Sequence, residues 1–122
     1  MKIIDSHAHI VQYIAGIGSG GELRSIGGGM ARYANGQVVR MIPEQFHTDG
    51  VSPEQLLEIM DENGVEKSVL LQGNFYGFQN YYTWEAVKKY PNRFIGAASY
   101  DPYSFDRDGI CLLYTSDAAD DL

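Results

Sequence analysis

Ile3-Ile4-Asp5-Ser6-His7-Ala8-His9 closes the first apolar run of this 122-residue chain, and the fold turns on whether that run, Met1 to Ile4, opens a strand. In a strand, successive side chains alternate faces, so Asp5, His7 and His9 project to one side with neighbours roughly 6.5 Å apart. Two imidazoles so placed converge on one point. A divalent ion held at about 2.0–2.1 Å by each ring nitrogen fits that separation, and imidazole is the usual ligand for zinc and similar ions. Asp5, one residue pair deeper, serves either as an inner ligand or as a carboxylate that fixes a histidine tautomer. The plain alternative is a pair of solvated or hydrogen-bonded imidazoles that binds nothing.

Outward from this stretch, Ile10 to Ile17 stays apolar but runs into Gly16, Gly18, Gly20, Gly21 and then Gly27-Gly28-Gly29. So many glycines disfavour both helix and interior strand, which predicts a flexible loop over the mouth of the metal site. No Gly-Lys-Ser/Thr ending marks it as a phosphate cradle. Its one arginine, Arg24, is a candidate for meeting an anionic substrate. Asn35-Gly36 between two short β-capable runs, within Met30 to Ile42, predicts a hairpin closed by a type I′ turn. His47, the third histidine, falls in a loop far from the first pair and is the weaker ligand candidate.

Ser52-Pro53-Glu54-Gln55 has the pattern of a helix start, with Ser as N-cap, Pro at the first helical position and Gln placed for a capping box. Leu56, Leu57, Ile59 and Met60 give that helix an apolar face, and Asn63-Gly64 closes it. Val65 to Leu71 reads as a buried strand, Phe75 to Phe78 as an aromatic loop, and Asn80 to Tyr90 as a second helix stopped by Pro91. Arg93 to Tyr100 reads as a third strand ending at Asp101-Pro102. Strand, helix, strand, helix, strand in this order implies right-handed βαβ units and a parallel sheet. The fold class is therefore α/β, with about three strands and two helices plus a β-hairpin insertion.

The opening Ile-Ile-Asp-Ser-His-Ala-His resembles the start of the amidohydrolase superfamily. Leu70-Leu-Gln-Gly-Asn-Phe-Tyr-Gly-Phe-Gln-Asn80 and Arg93-Phe-Ile-Gly-Ala-Ala-Ser-Tyr-Asp-Pro102 look like its amidohydrolase-related branch, family 2. The resemblance runs from Met1 to about Gly109. It implies a metal-dependent TIM (β/α)8 barrel in which His7 and His9 bind a catalytic divalent metal, zinc first. It also implies a metal-activated water that cleaves a C–N or C–O bond of a small molecule. A further histidine and a general-base aspartate, on later strands of such a barrel, lie beyond this chain. The same branch contains non-oxidative decarboxylases and hydratases of small carboxylic acids, so that chemistry stays open, as does a non-catalytic α/β binding module. In such barrels the site lies at the C-terminal ends of the strands, which makes Gln72, Asn74 and Asp101 substrate-binding candidates beside Arg24.

A TIM barrel needs about 250 residues, with a floor near about 200. The chain is therefore expected to be the N-terminal portion of one, incomplete and inactive alone. Cys111 to Leu122 resembles the translation of a sequencing adapter read through at the end of a library insert. Residues 1–110 are then read as the partial barrel and 111–122 as a non-native tail. Removing the tail's three acidic side chains, Asp117, Asp120 and Asp121, takes the net charge from −7 to −4 and removes the only cysteine. A chain without cysteine has no disulfide framework, compatible with a reducing cytoplasm. Mild acidity without a basic cluster argues against nucleic acid or an anionic membrane as partners. A small-molecule substrate is the expected partner, with a homo-oligomer of the full-length protein left open.

Overall fold

A computed structural model describes residues 1–100, so Asp101, the 110/111 boundary and the 111–122 tail lie outside the described residues. Two sheets and two helices are built around two cores. The first sheet comprises β1 (Ile3–Ala8), β6 (Val65–Leu70) and β7 (Phe94–Gly96), in the order β1-β6-β7 with both pairings parallel. Helices α1 (Pro53–Glu62) and α2 (Asn80–Lys89) connect these strands, as the strand–helix alternation requires. The β1–β6 register slips between Asp5 and Ala8, so the strand bends where its histidines begin.

The α1 start is built as its sequence dictates. Ser52 Oγ accepts the Gln55 N–H at 3.1 Å, and Gln55 Oε1 accepts the Ser52 N–H at 2.8 Å, satisfying two otherwise orphaned donors. At the other end Gly64, at φ 68°, takes the left-handed position alone, while Asn63 stays at φ −105° and turns its side-chain amide onto the Ile59 carbonyl. The third strand is shorter than its apolar run. Pairing stops at Gly96, and Ser99 donates its N–H to Asn80 Oδ1 instead of extending a ladder.

The Gly-rich stretch is not a flexible loop. It forms β2 (Ala15–Gly18) and β3 (Gly21–Gly27), which continue through β4 (Met30–Tyr33) and β5 (Val38–Arg40) as a four-stranded antiparallel sheet. The glycines sit where space or turn geometry demands them. A Cβ at Gly16 would collide with the backbone of Asn74 and Phe75, because β2 lies directly against the turn after β6. The hairpin at Asn35-Gly36 exists, but its turn is not type I′. Tyr33 and Gln37 flank a three-residue loop in which only Gly36, at φ 94°, is positive, the alternative that puts one left-handed residue after a tighter turn. The insertion is thus a full sheet of its own.

One core lies between the parallel sheet and the helices, with Ala8, Ile10, Met60, Leu70, Ala86 and Phe94 at its centre. The other fills the antiparallel sheet with Val11, Ile14, Leu23, Ala31, Ile42 and Val51. Ile10 and Val11 are adjacent in sequence yet anchor different cores, and Val11 also pairs with Val51 through two backbone bonds of 2.9 and 2.8 Å. The segment leaving β1 is therefore pinned on both sides. No helix among the described residues is long and apolar enough to cross a membrane.

Candidate functional site

Ala8 faces the helical core, so His7, its neighbour on the strand, belongs to the opposite, open face of the parallel sheet with Val69 and Ile95. His9 follows just past the end of β1 and is half-buried. The two rings meet edge to face with centroids 4.9 Å apart, and their Nε2 atoms stand 3.2 Å apart. The expected convergence of the pair is present.

The tautomer of His9 is set by the backbone. Its Nδ1 lies 3.0 Å from the Leu71 carbonyl oxygen, which only an Nδ1–H can satisfy, so the tautomer this bond selects in the neutral ring has its lone pair on Nε2, directed at His7. A backbone carbonyl receiving the distal N–H is the usual support for a metal-binding imidazole. Asp5 does not play that part: its Oδ1 accepts the backbone N–H of His7 at 3.0 Å, fixing the bend of the strand rather than a ring.

A tetrahedral ion with arms of about 2.0–2.1 Å sets its ligand nitrogens about 3.3–3.4 Å apart. The observed separation, together with a lone pair presented by His9, fits half of such a donor set. It also suits a hydrogen bond from His7 Nε2–H to His9 Nε2. Among the described residues no third histidine, cysteine, aspartate or glutamate joins the pair. His47 is exposed and ends a single 3-10 turn, Glu44–Phe46, at φ 56°, its N–H bonded to Glu44.

The substrate-binding candidates separate. Gln72 is engaged within the protein: its Nε2 donates to Asn80 Oδ1 at 2.7 Å and to the Ala97 carbonyl at 3.1 Å, and its Oε1 accepts the Gln79 N–H at 2.6 Å. It clasps the ends of β6 and β7 to the start of α2. Arg24 lies on the exposed face of β3 and pairs with Glu22, two residues away on the same face. Asn74 is exposed at the strand's end, and its carbonyl accepts from Ile17 and Gly77. Asp101 is outside the described residues.

Three groups lie beside the histidines, of which the sequence offered only Tyr76, as one of the aromatics of its loop. The Leu71 carbonyl belongs to the backbone and leaves no residue-type signal. Tyr76, from the aromatic loop, lies 5.6 Å from the His9 ring, centroid to centroid, and burial raises its phenol above the ordinary 10.0, so it stays neutral against the imidazole. Gln79 bridges the aromatic loop to Gln12 and Tyr13.

No family model matches the chain, and no curated protein matches it significantly. Among solved structures it is similar to a crystal structure of a probable 2-pyrone-4,6-dicarboxylic acid hydrolase from Acinetobacter baumannii with citric acid bound. The TM-score is 0.55 and the identity 21%, over 92% of this chain and 34% of that one. The class this defines is a mixed α/β fold, consistent with part of a TIM barrel. The chain spans about a third of that neighbour's length.

Proposed function

We propose that this chain is the N-terminal part of a metal-dependent hydrolase of the amidohydrolase-related kind, acting on an amide, ester or lactone bond of a small molecule. The observation that carries the reading is the His7–His9 pair, with Nε2 atoms 3.2 Å apart and the His9 tautomer held by Leu71. The parallel three-stranded sheet, the pair's place at the end of its first strand and the hydrolase fold of the solved neighbour support it.

His7 and His9 would hold the ion, zinc first, with the remaining ligands and a general-base carboxylate supplied from outside residues 1–100. When bound, such an ion polarises a carbonyl and acidifies water. The Leu71 carbonyl keeps Nε2 of His9 free to bind, and the Tyr76 ring lies beside that imidazole. Decarboxylation or hydration of a small carboxylic acid would use the same pair. The test is the protein expressed from the complete reading frame, assayed for ester, lactone and amide cleavage and for CO2 release, with His7→Ala as control. Cleavage abolished by His7→Ala is the expected result; CO2 release without cleavage would overturn the hydrolytic reading.

A further inference from the structure

We propose that Gln79 is a positioning residue for the His9 imidazole, its amide tying the turn that carries Tyr76 to the segment that leaves β1. The inference rests on the reading of His7 and His9 as ion ligands.

Apart from His7, the contacts on the His9 ring come from one short stretch, the Leu71 carbonyl at its start and the Tyr76 ring at its end. Gln79 holds both ends of that stretch. Its backbone N–H donates to Oε1 of Gln72, the residue next to Leu71, at 2.6 Å, and its Nε2 donates to the Tyr76 carbonyl at 3.3 Å. The same Nε2 donates to the Tyr13 carbonyl at 3.0 Å, and Oε1 accepts the Gln12 N–H at 2.8 Å. Gln12 lies only three residues beyond His9. One primary amide therefore fixes the distance between the backbone following His9 and the loop whose groups orient its ring.

The arrangement needs an amide. A carboxylate at this position keeps the acceptor for Gln12 but faces two carbonyl oxygens with no proton to offer, and a hydrocarbon offers neither. The loop keeps a separate attachment to β2, through Ala15 N–H to the Tyr76 carbonyl at 3.1 Å and Ile17 N–H to the Asn74 carbonyl at 2.9 Å. Loss of the Gln79 amide thus loosens the register of the loop against His9 without detaching the loop.

The experiment compares the full chain with Gln79→Met and Gln79→Glu, using two readouts. Nitrogen-15 NMR of the imidazoles in metal-free protein reports the His9 tautomer, and competition with a chelator reports Zn2+ affinity. The expected result is a fixed Nδ1–H tautomer in the parent and a mixed population in both variants, with Zn2+ bound about 10–100-fold more weakly, the range for loss of a ligand's supporting contact. A parent that fixes the tautomer and loses it in the variants, yet never binds Zn2+, would support the positioning role and overturn the metal reading alone. An unchanged tautomer in the variants, or a mixed one in the parent, would overturn the proposal. Global unfolding of both variants would also overturn it, since Gln79 would then support the fold as a whole.

Discussion

Ser68 is fully buried in the middle of β6, and among the described residues its hydroxyl has no hydrogen-bond partner. A buried, unsatisfied hydroxyl costs about 1–3 kcal/mol, so Ser68→Ala is expected to raise stability by roughly 1 kcal/mol in urea unfolding; a loss of stability would mean that the hydroxyl has found a partner. Glu54 is the opposite case. The Tyr90 hydroxyl, donating at 2.7 Å, and the Lys89 ammonium hold its carboxyl below the ordinary 4.5. A lowered folded value means that this stabilisation is complete above pH 4.5 and disappears as the pH falls through the lowered value. Glu54→Gln should therefore be less stable than the parent near neutrality, by a small margin because the group is exposed, and equal to it at strongly acid pH. A margin that widens on acidification would contradict the assignment. At this scale the sequence was informative wherever side chains act on their own neighbours, as Ser52 and Gln55 do, and silent where a backbone atom from a distant segment acts. Leu71 O on His9 is the clearest instance of the latter.

The elements show where local pattern and tertiary context part company. Helix α1 follows from its capping box and apolar spacing, α2 has no side-chain cap and is bounded in the sequence only by Pro91 after its end, and the strand–helix alternation is enough to specify a parallel sheet. The Gly-rich stretch misleads because propensity describes an isolated chain. Here glycine is what lets β2 approach the turn after β6 closely enough for the Ala15 and Ile17 N–H groups to reach its carbonyls. Gly16→Ala drives a methyl into the backbone of Asn74 and Phe75 and is expected to cost about 1–3 kcal/mol. Because Tyr76 rides on the displaced turn, the nuclear Overhauser contact between the Tyr76 and His9 rings should weaken as well. A Gly16→Ala protein of parent stability with that contact intact would show that the close approach is not needed. Arg24, an anion-binding candidate while its surroundings were read as a mobile loop, becomes a strand residue paired with Glu22 once the sheet is in place.

Among the described residues, the parallel sheet is covered by helices on one side only. Its other face and its two outer strands, β1 and β7, expose Ile3 at 41%, Ile4 at 59% and Ile95 at 53% of their surface. An apolar sheet face of this kind is normally buried in a doubly covered or closed parallel sheet, and the His7–His9 pair stands at its rim. The proposed chemistry needs those two imidazoles to share an ion. Zn2+ titration of the full chain by isothermal calorimetry, against His7→Ala and His9→Ala, tests it most directly. The prediction is one weak site per chain, weak because two ligands are fewer than the three that catalytic zinc sites usually offer, and loss of that site in either variant. Equal stoichiometry and affinity in all three proteins would contradict it.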